Sequence, residues 1–280
     1  RSIKVPNLTY EEVSSMFNWY ERESGQKVEK EVVEQLYKET CGQPGLISWF
    51  GELLTETYNT NPDESITIRN WRGVYSRSYQ SLFNNTVLNV ISKANDPEYK
   101  GTVLELFKTN EKTAFTFDDP HHNYLYMNGV ISFEETIDSN NEVADYIKFS
   151  SPFIQKRLFN RFSRELFKHI GTTTKPFEDL SDSITDEELF VTNILRRYEM
   201  YLKENKSWLF KNAPRREDGR IYEAIYHFNF FRFLSDFLEG YQANITPEFP
   251  TGNGKIDILI RYNNKLYGLE IKSVSKRKKH

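Results

Sequence analysis

Residues 252–272 read GNGKIDILIRYNNKLYGLEIK and predict a β-hairpin with charged side chains inside apolar strands. The two predicted strands are Lys255 to Ile260 and Leu266 to Lys272. Between them, Asn263-Asn264 is typical of a two-residue hairpin turn, which pairs the strands antiparallel. Thr251 to Gly254 predicts a tight turn before the first strand.

Two carboxylates and an ammonium are predicted to share one face of this hairpin. Asp257 interrupts an apolar strand, where an unpaired carboxylate would be costly. Glu270 and Lys272 are two residues apart, so their side chains point to the same face. Clustered carboxylates repel one another unless a cation intervenes, and Mg²⁺ or Mn²⁺ suits such hard oxygen ligands. The metal would polarise a phosphodiester while Lys272 orients the attacking water, which predicts phosphodiester hydrolysis.

A helix and an extended segment precede the hairpin. Ile221 to Leu238 predicts a helix with one broad apolar face, and Glu223 lies near its start, where the helix dipole favours a carboxylate. Gln242 to Phe249 predicts an extended stretch. The predicted order is therefore one helix followed by three strands.

This segment resembles the PD-(D/E)XK nuclease superfamily over about residues 215–275. In that family a helix carries a Glu, a Gly-preceded strand carries an Asp, and the next strand carries Glu-x-Lys. The matching positions are Glu223, Asp257, and Glu270 with Lys272. The resemblance implies that Asp257 and Glu270 ligate the metal, Lys272 positions the water, and Glu223 assists through a metal-bound water. A further helix and strand normally follow in the family. This sequence ends eight residues after Lys272, so we expect that the remainder of the core is truncated, disordered or rebuilt.

The N-terminal residues predict three short helices, the first of which begins at a capping box of Thr9 and Glu12. Between the second and third helices lies a turn that contains Gly42, Gln43 and Pro44. This turn resembles the lid region of AAA-like and STAND-type P-loop ATPases, where a Gly-x-Pro turn lies close to the nucleotide and a winged helix follows. The alternative is an ordinary helix–helix turn, because Gly ends helices and Pro starts them.

ATP is expected as a cofactor only if an ATPase core lies upstream of Arg1. The chain contains no Gly-x-x-x-x-Gly-Lys-Ser/Thr motif, so the phosphate-binding loop is absent from the sequence. The resemblance implies an upstream ATPase domain as a partner, with Gly42, Gln43 and Pro44 close to its nucleotide. The first residue, Arg1, also leads us to expect a piece of a longer protein.

The fold class predicted is mixed, with a mainly α-helical N-terminal part followed by a small α/β domain. Helical patterns up to Phe107, a hairpin with its tip at Ser139 to Glu142, and a helix from Ser151-Pro152 together predict a winged helix. A linker follows, and a helix is predicted to open at Thr185. The predicted domains are a helical lid (1–62), a winged helix (63–168), a linker with its helix (169–204) and a nuclease-like domain (205–280).

Composition excludes several classes of protein. The 280 residues are 38% hydrophobic, enough for packed cores, and no apolar run approaches the ~20 residues that span a bilayer. A single cysteine, Cys41, cannot form a disulfide framework, so a cytoplasmic protein without membrane contact is expected. The net charge of −3 argues against a uniformly basic coat, although residues 253–280 hold eight Lys or Arg against two acids.

The hypothesis is a metal-dependent nuclease within a larger ATPase–nuclease fusion, with DNA favoured over RNA as substrate. The alternative is a non-catalytic protein- or DNA-interaction module with a degenerate nuclease fold. In that case Asp257 would end in a turn hydrogen bond, and Glu270 with Lys272 would form a surface pair. A third option is a transcription regulator that binds DNA through the winged helix without hydrolysis.

Overall fold

The computed structural model of the chain describes residues 6–80, 82–108, 113–137, 143–174, 178–216, 219–241, 243–247 and 257–271. The chain divides into two compact units, Arg1–Leu158 and Phe159–His280. The prediction of mixed α and β structure is confirmed, since these residues form ten α-helices and two small antiparallel sheets. Every helix in the described ranges is too short or too polar to cross a membrane.

The first unit is mainly helical. Its helices are α1 (Tyr10–Ser24), α2 (Lys30–Thr40), α3 (Pro44–Glu52), α4 (Ile68–Gln80), α5 (Asn85–Ala94), α6 (Lys100–Lys108) and α7 (Pro120–Met127). A π-helical turn, Leu53–Thr57, continues α3. The next helix, α8 (Pro152–Leu166), begins in this unit and continues into the second. The core of the first unit contains fully buried side chains from several helices, among them Val13, Leu36, Leu46, Phe50, Leu54, Val87 and Phe153.

Local sequence signals set both ends of α1. The Thr9 hydroxyl accepts a hydrogen bond from the Glu12 N–H at 3.2 Å, and the Glu12 carboxylate accepts one from the Thr9 N–H at 2.7 Å. The predicted capping box is therefore confirmed. Gly25 ends the helix with a φ of 77°, a left-handed conformation that glycine adopts readily.

A β-hairpin precedes α8. Its strands are β1 (Ile131–Ile137) and β2 (Val143–Phe149), which pair antiparallel with Ile131 opposite Phe149. The two paired strands confirm the predicted hairpin, whereas its predicted tip, 139–142, lies outside the described residues. The assignment of this region as a winged helix stays a prediction.

The second unit combines two long helices with a three-stranded sheet. Its elements are α9 (Val191–Leu209), α10 (Glu223–Phe237), β3 (Asn244–Pro247), β4 (Ile258–Tyr262) and β5 (Lys265–Leu269). The strands pair antiparallel in the order β3-β4-β5. Asn263 and Asn264 connect β4 to β5 with φ values of 42° and 61°, so the predicted Asn-Asn hairpin turn is confirmed. The predicted turn at 251–254 lies outside the described residues.

Aromatic side chains form much of the core between α9 and α10. Tyr198 on α9 lies 4.5 Å from Phe230 and 5.1 Å from Phe233 on α10, measured between ring centroids. The Tyr198 hydroxyl donates a hydrogen bond to Asn229 Oδ1 at 2.9 Å. Burial raises the pKa of Tyr198, because the charged phenolate would lose its hydration. This packing holds α10, the helix that carries Glu223, in a fixed position against α9.

The prediction of a helix from Thr185 is wrong, because α9 begins only at Val191. The Thr185 N–H donates to the Glu188 carbonyl at 3.0 Å, and its hydroxyl accepts from the Glu188 N–H at 3.2 Å. These bonds close a turn whose ends, Ile184 and Leu189, pair as an antiparallel β-bridge. A Thr three residues before a Glu makes the same hydroxyl bond in this turn as in a helix cap, so the sequence signal did not distinguish them.

The helix α7 contains the stretch Asn123 to Tyr126. Asp119 caps this helix, since its Oδ1 accepts hydrogen bonds from the N–H groups of His121 and His122 at 2.8 and 3.0 Å. Pro120 occupies the first helical position, where its missing N–H has no cost. Both histidines are therefore in the first turn of a helix.

We expect Gly42→Ala to lower the free energy of unfolding of the first unit by about 2 kcal/mol or more. Gly42 has a φ of 70°, and a Cβ there would lie 1.9 Å from the Leu8 carbonyl oxygen. The matched control is Gly25→Ala, because Gly25 has a φ of 77° but open space around it. Urea unfolding followed by tryptophan fluorescence in a Trp208→Phe background reports on this unit alone, as the other three tryptophans lie within it. Equal losses in the two variants would contradict the steric argument.

Candidate functional site

Glu223 is the first residue of α10. This position confirms that Glu223 lies near the start of its helix, as predicted. The free N–H groups of a helix start favour a carboxylate there. Its side chain is one-third exposed and points along the same face as His227, one turn further on.

His227 lies between two carboxylates from distant parts of the sequence. Its Nε2 is 3.8 Å from Glu223 Oε1 and 4.0 Å from Asp257 Oδ2. The ring is mostly buried, and Nε2 has no hydrogen-bond partner within the described part of the chain. A buried ring nitrogen without a hydrogen bond is uncommon, and two carboxylates lie within 4.0 Å of this one.

Asp257 directly precedes β4 and is held by the end of β5. Its N–H donates to the Leu269 carbonyl at 2.8 Å, and its Oδ2 accepts a hydrogen bond from the Ile271 N–H at 2.6 Å. The side chain is only 17% exposed. A backbone hydrogen bond thus fixes one oxygen of the carboxylate, as the alternative of a non-catalytic module predicts. The same oxygen lies 4.0 Å from His227 Nε2.

Glu270 directly follows β5 at the same end of the sheet. Ile258 pairs with Leu269, and Asp257 and Glu270 are the next residues on the two strands. Glu270 is exposed, whereas Asp257 is mostly buried. The structure therefore brings Asp257 together with Glu223 and His227, and places Glu270 at the same edge. Lys272, predicted to position the water, lies outside the described residues.

A complete metal site is not present among the described side chains. In residues 6–271, apart from the undescribed gaps, no three His, Cys, Asp or Glu form a group that could hold a metal ion. The imidazole of His227 lies close to the carboxylates of both Glu223 and Asp257. We call these three residues the α10–β4 cluster.

The predicted nucleotide-contacting turn has the geometry of a helix–helix connection. Gly42 is in the left-handed conformation, Gln43 precedes α3, and Pro44 is its first residue. The Leu8 N–H donates a hydrogen bond to the Gly42 carbonyl at 2.9 Å. This carbonyl oxygen of the turn therefore already has a partner within the chain. Burial raises the pKa of the Cys41 thiol, which disfavours the reactive thiolate. A role of Gly42, Gln43 and Pro44 in nucleotide binding stays a prediction.

His227 is the site residue that sequence reasoning missed. Its spacing of four residues from Glu223 places both side chains on one helix face, and this was the available signal. The approach of Asp257 to that face could not be found in the same way, because it depends on how the sheet packs against α10.

Comparison with known proteins adds no assignment. The chain matches no family model, and neither curated proteins nor solved structures give a match.

Proposed function

We propose that the second unit is a metal-dependent nuclease that hydrolyses phosphodiester bonds, with DNA favoured over RNA. The observation that carries the proposal is the α10–β4 cluster, in which an imidazole nitrogen lies within 4.0 Å of two carboxylates. Glu223 and His227 belong to α10, whereas Asp257 lies directly before β4. Glu223 and Asp257 are 34 positions apart in the sequence. Acid, base and imidazole side chains that converge from separate elements are candidates for catalytic roles.

The donor types suit a divalent cation, although their positions among the described residues do not form a group of three that could hold one. Two carboxylates and an imidazole suit Mn²⁺, and carboxylates with water suit Mg²⁺. The buried His227 Nε2, which has no hydrogen-bond partner in the described part of the chain, is the atom that a bound ion would satisfy. Bound there, the ion would supply Lewis-acid polarisation of the phosphate and a more acidic water.

The residues of the chain would orient the reacting groups. The Ile271 N–H holds one oxygen of Asp257 and so limits rotation of its carboxylate. Glu223, at the positive end of the α10 dipole, would accept a hydrogen bond from the attacking water. We assign to Lys272 the orientation of that water against the scissile phosphate.

The order of elements agrees with the proposed relationship to the PD-(D/E)XK superfamily. One helix is followed by three antiparallel strands, and Glu223 lies at the helix start as predicted. Asp257 and Glu270, predicted inside the strands, lie directly before β4 and directly after β5. The proposed upstream ATPase domain and the nucleotide-contacting lid belong to the same proposal and rest on the resemblance of the Gly42 turn alone. Fold-level analogy is only a supporting argument for activity.

The test is cleavage of plasmid and linear DNA by the full 280-residue chain with Mn²⁺ or Mg²⁺. We expect nicking or cutting that is lost on chelation and restored by adding Mn²⁺. A parallel reaction with RNA separates the two substrates.

One observation favours the alternative of a non-catalytic module. The hydrogen bond from Ile271 to Asp257 is what a purely structural aspartate would make. This alternative predicts DNA or protein binding without cleavage at any metal concentration, and binding that substitutions in the α10–β4 cluster leave unchanged.

A further inference from the structure

A groove with an apolar floor lies on the first unit, between α1 and the end of α3 with its π-helical turn. Its volume is about 750 Å³. The apolar lining includes Met16, Phe17, Trp19 and Ile47. Met16 and Trp19 are 43% and 60% exposed, which is high for side chains of this size. Large apolar side chains exposed beside a concave surface are typical of protein interaction sites.

The rim of this groove is acidic. Glu11 and Glu12 line it from α1, while Glu52 and Glu56 line it from α3 and the π-helical turn. Its lining includes no Lys or Arg side chain among the residues that the structure describes. Of the four, Glu12 also accepts the capping hydrogen bond from the Thr9 N–H.

Gly51 is one of the residues that line the groove. It lies within α3, where glycine is unfavourable relative to alanine. An added Cβ at Gly51 would meet no atom within 4 Å. The space above Gly51 therefore belongs to the groove, and a helix that packs there could approach the α3 backbone closely.

We propose that this groove binds a basic amphipathic helix of a partner protein. Two helices with an apolar floor form the surface on which a third helix can bury its apolar face. Four glutamates around that floor select an occupant with Lys or Arg on either side of its apolar stripe. The basic end of the chain itself, residues 273–280, offers Val274 as its single aliphatic side chain and so matches the floor poorly.

The experiment measures binding of a designed peptide to the full chain by fluorescence anisotropy. The probe is a fluorescein-labelled helix of about 14 residues with Leu at positions i, i+3, i+4 and i+7 and Lys elsewhere. Control peptides replace Lys by Glu or scramble the Leu spacing. The protein variants are Gly51→Leu, which fills the groove, and Gly73→Leu, a helical glycine with equally open surroundings on α4.

We expect the Lys peptide to bind with a Kd on the order of 10 μM. Gly51→Leu should weaken it at least about tenfold, whereas Gly73→Leu should leave it unchanged. Glu52→Gln with Glu56→Gln should weaken it and flatten its salt dependence.

Several results would overturn the proposal. These are absence of binding, equal binding to Gly51→Leu and to the unmodified chain, and equal binding of the scrambled peptide, which would indicate charge attraction alone. Self-association of the chain that Gly51→Leu abolishes would assign the groove to a second copy instead. None of these results bears on the nuclease proposal, because the groove lies in the other unit.

Discussion

Asp257→Asn is expected to reduce Mn²⁺-dependent DNA cleavage on the order of 100-fold or more while the chain stays folded. The amide oxygen of Asn can still accept the hydrogen bond from the Ile271 N–H, so the support of this residue by β5 is retained. The negative charge next to His227 is lost. Even groups outside the first ligand sphere of a metal cost roughly 10–100-fold when removed, and a direct ligand should cost more.

The comparison of Asn with Ala at this position separates catalysis from structure. Asp257→Ala removes both the charge and the hydrogen bond, and should lower activity as Asp257→Asn does and also lower stability. Asp186→Asn is the matched control, since Asp186 is exposed in the same unit. Cleavage rates that Asp257→Asn leaves unchanged would show that the carboxylate has only a structural role.

Lys156→Ala is expected to destabilise the first unit by about 3–5 kcal/mol, because it leaves a mostly buried carboxylate without its cation. Lys156 Nζ lies 3.3 Å from Glu39 Oε1, and the two side chains are 7% and 13% exposed. The Tyr75 hydroxyl donates to the other Glu39 oxygen at 2.6 Å, and Lys156 Nζ lies 5.6 Å from the Tyr75 ring centre. This group joins α8 to α2 and α4.

Unfolding in urea, followed by tryptophan fluorescence in the Trp208→Phe background, measures this loss. The double variant Glu39→Gln with Lys156→Met should recover part of the stability, since no buried charge is then left without a partner. The surface control is Lys30→Ala, whose partner Glu34 is well exposed; we expect no measurable change. A loss in Lys156→Ala as small as that of Lys30→Ala would contradict the account of the buried pair.

Local features of the fold could be predicted from the sequence wherever neighbouring residues determine them. Thr9 and Glu12 set the start of α1 through bonds within one turn, and Asn263-Asn264 sets the β4–β5 hairpin through its left-handed backbone. The Thr185 signal failed because its hydroxyl bond to Glu188 serves a β-bridged turn as well as a helix start.

The candidate site was only partly predictable for a related reason. Glu223 was found from its predicted position near a helix start, and Asp257 from its predicted position inside an apolar strand, although the structure places Asp257 directly before β4. His227 could be recognised as a candidate site residue only from the structure, because its Nε2 lies 4.0 Å from Asp257 Oδ2. These two residues are 30 positions apart in the sequence. Tertiary packing, which no local pattern encodes, therefore assembled the α10–β4 cluster.

Titration of the full chain with Mn²⁺, followed by the loss of the free-ion signal in electron paramagnetic resonance, tests the central claim most directly. If Glu223, His227 and Asp257 hold a divalent cation, the chain binds a single Mn²⁺, and His227→Gln and Asp257→Asn each weaken binding by about tenfold or more, while Asp186→Asn does not. Mn²⁺ binding that is absent, or that both cluster variants leave unchanged, would contradict it.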